Sequence, residues 1–160
     1  MKSRNSACAV CLALLVVSLM ASSAHSFKQA DVDKLLATRE CQWCDLRGAH
    51  VPGANLSGTD LSGANLTEAQ LSDADLSGAN LSTAYLRNSD LSGANLSTAF
   101  LGKANLSGAN VNNANLSGAT LTGATWTDGT LCEEGSVGEC KQKGAVRQND
   151  DRPTLFPQNY

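Results

Sequence analysis

The sequence predicts an all-β solenoid, a chain that bends the same way at short intervals, coils, and stacks its coils by strand pairing. Three observations predict it. From Cys44 to Leu131 an apolar residue recurs at every fifth position without a slip, and 15 of the 18 such central positions are Leu, the others being Val51, Val111 and Trp126. Two residues before each stands a small residue, Ala at 14 of the 18 positions, with Cys44, Thr59, Ser89 and Gly129 as the exceptions. Between the units Gly, Asn and Ser accumulate, as at Ser57-Gly58 and Ser62-Gly63, and these residues suit bends.

A period of five rules out the two regular alternatives. At about 100° per residue, successive central residues of an α-helix would scatter around its whole circumference. In a straight strand side chains alternate with period two, so an odd repeat would send every second Leu to the opposite face. Apolar positions instead alternate at spacings of two and three, as in Ala54, Leu56, Thr59 and Leu61. A spacing of two is a piece of strand with both residues facing one way; a spacing of three holds one extra residue, absorbed in a bend. With aromatics at only 4% of residues, the interior is built of Leu and Ala and is narrow.

The segments outside the repeat read differently. Residues 1–26 resemble a secretory signal: Lys2 and Arg4, an apolar run from Ala7 to Met20, then the small residues Ala21 to Ala24. That run is shorter than the ~20 residues needed to span a bilayer. The expectation is therefore an exported protein, periplasmic or secreted, with no stable membrane anchor after cleavage. Removing residues 1–26 takes away two of 12 basic residues and none of 15 acidic ones, so the charge becomes 10 − 15 = −5. No Lys/Arg cluster suited to a nucleic-acid backbone remains, and nucleic acid is not an expected partner. Residues 27–43 are expected to form a capping helix and linker, with Asp31 as N-cap and Val32, Leu35 and Leu36 as an apolar stripe over the first coil. Residues 132–160 are expected to form a closed loop and a flexible tail carrying Pro153 and Pro157.

The units Ala64-Asn65-Leu66, Ala74-Asp75-Leu76 and Ala104-Asn105-Leu106 follow the pattern A-(N/D)-L-x-x, and over residues 44–131 the sequence resembles the pentapeptide-repeat family. The resemblance implies a right-handed quadrilateral β-helix, one unit per face and about 20 residues per coil, hence about four coils. The ending Thr125-Trp126-Thr127-Asp128-Gly129 with Cys132 and Cys140 also resembles that of some exported bacterial members.

Four cysteines follow the signal segment, in two close pairs, and in an exported chain an even count suggests disulfides. For Cys41-Gln42-Trp43-Cys44 haem attachment is disfavoured because Asp45, not His, follows. A four-cysteine zinc site would need this pair to meet Cys132 and Cys140 across roughly 20 Å of stacked coils. A structural disulfide is the leading reading for Cys41 and Cys44, with free thiols and a redox pair as alternatives; Cys132 with Cys140 closes a short loop. No carboxylates of the repeat share a column at a spacing of 20, and His50 has no catalytic or metal-binding companions. Neither an enzyme nor any cofactor or metal is expected. The Asn-Leu-Ser triplets that mimic glycosylation sites are a by-product of the repeat.

The expected function is that of a structural or protein-interaction module. Its candidate contacts are Tyr85, Arg87, Phe100 and Lys103, exceptions to the repeat at outward positions; aromatics are favoured at interfaces. Two alternatives stand beside it. Cytoplasmic relatives of this fold mimic DNA and bind type II topoisomerases, but here the acids are few and scattered. The serine row Ser57, Ser77, Ser97 and Ser117 could instead order water or carbohydrate.

Overall fold

The computed structural model describes residues 28–142; the expected signal at residues 1–26 and most of the expected tail lie outside the described residues. Parallel bridges join each residue at a position divisible by five to the residue 20 further on, from Glu40↔Asp60 to Asn105↔Thr125. The chain therefore completes a coil every 20 residues, with four bridging positions per coil and hence four sides. The first side stacks Glu40, Asp60, Asn80, Phe100 and Thr120, and the second Asp45, Asn65, Tyr85, Asn105 and Thr125. The third stacks His50, Gln70, Asp90 and Asn110, and the fourth Asn55, Asp75, Asn95 and Asn115. Pairing is by single-residue bridges rather than long strands, because a turn follows within each unit.

A five-residue unit satisfies its own backbone, which explains the repeat more completely than apolar periodicity does. In the unit starting at Asn65, the Asn65 N–H donates down to Cys44 and the Leu66 N–H up to Tyr85. Thr67 N–H donates to the Asn65 side-chain oxygen at 3.2 Å. Glu68 N–H donates up to Arg87, and Ala69 N–H closes a β-turn onto the Leu66 carbonyl. All five donors are thus used, as a buried or half-buried backbone requires. The residue before Ala takes a positive φ at every fifth position from Trp43 to Gly123. Eight of these 17 are not glycine, Thr83 and Thr98 among them. Left-handed conformations cost such residues ~1–2 kcal/mol each, so the coil-to-coil hydrogen bonds impose this backbone against local preference.

The interior is as the period requires. Leu46, and the Leu at every fifth position from Leu56 to Leu106, are buried, with Ala in the small slots between them. Two polar residues occupy small slots: Ser89 Oγ donates to the Leu86 carbonyl at 2.8 Å, whereas the Thr59 hydroxyl is buried with no partner.

Below the first coil, α1 (Gln29–Thr38) contributes Val32 and Leu35 to the same apolar cluster. Asp31 is not its N-cap. Lys28 holds that position without a side-chain cap bond, and the Asp31 carboxylate instead accepts the backbone N–H of Asp45, an edge donor of the first coil, at 2.9 Å. Leu36 faces outward, 56% exposed, so the buried stripe is Val32 and Leu35 alone.

At the other end the expected boundary at Leu131 is corrected. The next positive φ falls at Gly129 instead of Asp128, Trp126 N–H donates to Thr130, and Leu131 pairs antiparallel with Thr125. Leu131 is consequently 63% exposed, not inward. The chain reverses over the last coil: Leu121 N–H donates to Ser136, Gly123 N–H to Cys132, and Gly138 N–H to Ala119. These bonds occupy the upper edges of the first and second sides.

Candidate interaction surface

Both cysteine pairs are disulfide-bonded, Cys41–Cys44 with Cα atoms 5.2 Å apart and Cys132–Cys140 with 5.0 Å. Cys41 and Cys44 are buried, and the Cys41 sulfur lies 3.3 Å from the Asp31 carbonyl, so the first bridge fastens the start of the coil stack beside α1. Cys132, within the reversed segment, is buried.

The polar side chains of the sides are engaged with one another. Asp60 accepts from the Ser62 N–H, from Gln42 and from Asn80; Asp75 accepts from the Ser77 N–H and Asn95; Asp90 accepts from the Ser92 N–H and Asn110. These donors hold all three carboxyls below the usual 3.8, hydrogen bonds from the serine two residues on being the largest cause in each case. Asn115 continues the fourth-side ladder onto Asn95 at 3.2 Å. On the second side Tyr85 stands between Asn65 and Asn105, and no amide link forms there among the described residues. One column holds two acids, because Glu40, before the repeat, bridges to Asp60. His50 is exposed and its Nδ1–H donates to Gln70 at 2.6 Å. Among the described residues no group of three or more His, Cys, Asp or Glu is placed to hold a metal ion, and no helix is long and apolar enough to cross a membrane.

Three of the residues singled out by the repeat's exceptions, Phe100, Lys103 and Tyr85, meet at one corner, and Arg87 lies in the turn that leads from the second side to the third. Phe100 lies on the first side and Tyr85 on the second, Lys103 on the corner between them, and Arg87 just past Tyr85. Phe100 and Tyr85 are 53% and 51% exposed. Each occupies a position where Asn or Asp elsewhere accepts the N–H two residues on, so among the described residues the N–H groups of Arg87 and Gly102 lack that acceptor. Sequence reasoning passed over Trp43 as part of the cysteine motif. It stands at the foot of the same corner, 72% exposed, its ring lying on Gly63, where a Cβ would come within 2.4 Å of Cε3. Its position in the five-residue count, two after Cys41 and 20 before Gly63, carried the signal. Arg47, below Arg87 in the same column, pairs in bidentate fashion with Asp45 at 2.8 Å and lowers its pKa, the side-chain hydrogen bond being the largest cause.

The family model of pentapeptide repeats matches in eight copies over residues 40–78, 64–102 and 101–125, more than half of the chain. The chain belongs to the pentapeptide-repeat family, whose proteins are right-handed quadrilateral β-helices. Among solved structures it is similar to a pentapeptide repeat protein of the Arabidopsis thaliana thylakoid lumen, with 34% identity, a TM-score of 0.44, and 56% of this chain and 66% of that chain covered. A pentapeptide repeat protein from Nostoc shares 36% identity at a TM-score of 0.34, covering 64% of this chain and 82% of its own. QnrB1, a plasmid-mediated fluoroquinolone resistance protein, shares 21% at a TM-score of 0.33, covering 52% and 53%. The chain thus spans less than two thirds of the Arabidopsis protein's length. No curated protein matches the chain.

Proposed function

We propose that this is an exported, non-enzymatic protein-interaction module of about four coils, closed below by α1 and above by the reversed segment, whose contact surface is Tyr85, Arg87, Phe100 and Lys103. Export rests on the signal-like residues 1–26. One observation carries the contact surface. Tyr85 and Phe100 replace the side chain that satisfies a backbone N–H in most other units, and both rings are half exposed beside two cations. An exposed ring gains nothing in the isolated stack, whereas an interface turns both rings into contact area. The DNA-mimic alternative has less support, since Asp60, Asp75 and Asp90 are already taken up by serine and asparagine donors. For the serine row, Ser57 Oγ donates to Asn55, so that hydroxyl is already engaged within its own unit.

The test is capture of partners from an extract of the source cells, with the protein bearing Tyr85→Ala and Phe100→Ala as comparison. Loss of a specific protein from the variant's capture is expected. Identical capture by both proteins would reject these contacts.

A further inference from the structure

The reversed segment closes the upper end over the first and second sides; over the third and fourth sides the edge is open among the described residues. One rung below the top, Leu91 N–H donates up to Asn110, Gly93 N–H to Asn112, Leu96 N–H to Asn115 and Thr98 N–H to Ser117. On the last rung the corresponding N–H groups of Val111, Asn113, Leu116 and Gly118 have no acceptor among the described residues, and the carbonyls of Ala109 and Ala114 have no donor. The interior is uncovered at the same place. Leu91, Ala94 and Leu96 are fully buried, whereas Val111, Ala114 and Leu116 directly above them are only partly so. A solenoid end with bare edge groups and an open apolar interior calls for a cap. The chain itself comes back to this opening. The reversed segment runs from the second side to the first, and Gln142 pairs antiparallel with Cys132, so at Gln142 the chain heads for the third side again. There the Gln142 amide donates to Asp128, in the turn that follows Thr125 of the second side, at 3.0 Å.

We propose that the open edge is a strand-docking site for the chain's own segment Thr154-Leu155-Phe156-Pro157-Gln158, which lies on the third side above Ala109 to Asn113 as one further unit. Its order is that of the repeat: a small residue, an outward one, then an apolar one. Thr59 is a precedent for threonine in the small slot, and Pro52, in Ala49-His50-Val51-Pro52-Gly53, for proline at the fourth place. In this register Leu155 N–H donates to the Ala109 carbonyl, the Leu155 carbonyl accepts from Val111, and the Pro157 carbonyl accepts from Asn113. Asn110 and Asn112 make the same three bonds to Ser89, Leu91 and Gly93 one rung below. Phe156 then covers Val111 and Leu116, and a proline on a last rung withholds no ladder bond. From Gln142 to Thr154 the chain reaches up to roughly 40 Å, ample for the corner and a descent of one to two rungs of about 4.8 Å. Gly144-Ala145-Val146 has the same order, but its start, two residues past Gln142, reaches only about 7 Å, too short for the descent and the corner together.

Amide hydrogen exchange on the whole protein, followed residue by residue by NMR, tests this. Expected is slow exchange at Val111 and Asn113, as at Leu91 and Gly93 one rung below, together with nuclear Overhauser contacts between the Phe156 ring and the Val111 methyls. Phe156→Asp should speed exchange at Val111 and Asn113 by about tenfold or more. Leu91 and Gly93 should stay slow in that variant, which shows that the coils beneath remain folded. Phe156→Leu, carrying the residue a unit ordinarily has at that place, should keep all four slow. Three results would overturn the proposal: fast exchange at Val111 and Asn113 in the unaltered protein, slow exchange there that Phe156→Asp leaves as it was, or slow exchange that disappears on dilution, the mark of a second copy on the edge. The site is separate from the Tyr85 and Phe100 surface, so Tyr85→Ala with Phe100→Ala should change none of these rates, and either reading can fail without the other.

Discussion

Replacing Thr59 by Val should stabilise the protein, and the reasoning can be followed atom by atom. Thr59 fills a small inward slot, fully buried, and its hydroxyl has no hydrogen-bond partner. Ser89, in the same kind of slot, reaches the Leu86 carbonyl at 2.8 Å. The extra methyl of Thr59 accompanies a hydroxyl that makes no such bond. A buried polar group left without a partner costs about 1–3 kcal/mol. Valine has the same shape with a methyl in place of the hydroxyl, so the slot that accommodates threonine accommodates it, and its burial adds roughly 0.8 kcal/mol per carbon group. The expected gain is about 1–3 kcal/mol, or roughly 4 °C or more in Tm for a domain of this size. Thermal unfolding followed by circular dichroism would read it, with Ser89→Val as the counter-case in which a made bond is lost and stability falls. A Thr59→Val protein less stable than the parent would refute the account, because the hydroxyl would then be held by a partner.

Two further outcomes follow from the turns and the carboxylates. Gly58→Ala and Gly63→Ala both place a Cβ at positive φ, but only at Gly63 does it strike the Trp43 ring. Both should lose ~1–2 kcal/mol from backbone strain, while only Gly63→Ala should shift the emission of Trp43. Equal fluorescence in the two variants would contradict the stacking of Trp43 on Gly63. Asp60, Asp75 and Asp90 have folded pKa values below 3.8, so their contribution is present above about that pH and is lost as the pH falls through the lower folded values. Stability should decline on acidification below about pH 4, and exchange of all three for Asn should flatten that decline. A denaturant midpoint with unchanged acid dependence in the triple variant would place the effect elsewhere.

The five-residue period made the coil legible before any coordinates, because a closed, stacked chain forces the same side chain inward at each return. Leu46 through Leu106 and the alanines behind them were readable for that reason. The left-handed residues were not, since Thr83, Thr98 and Lys103 have no preference for that conformation and adopt it only because neighbouring coils bond to their N–H groups. Leu131 keeps the count but not the structure. Beyond Trp126 the chain folds back upon Thr125, and antiparallel pairing with the last coil outweighs one more inward leucine. Asp31 carried an N-cap signal, yet the open edge of the first coil supplied a better donor in Asp45. The candidate surface was legible only as a set of exceptions; that Phe100, Lys103 and Tyr85 meet at one corner, with Arg87 in the turn beyond Tyr85, emerges from the 20-residue return, and Trp43 joins that corner for the same reason.

The 20-residue return also makes the stack an angular ruler. A five-residue insertion between Tyr85 and Phe100, though it preserves every inward Leu, would turn all later residues by a quarter revolution about the axis. Phe100 would then leave the first side and stack above Tyr85 on the second, while Lys103 would move to the corner between the second and third sides. An insertion of 20 would restore the bearing and lift the upper residues by one rung. Duplication of whole coils therefore changes the length of such a protein while keeping its compass, whereas duplication of single units redraws the surface without disturbing the interior.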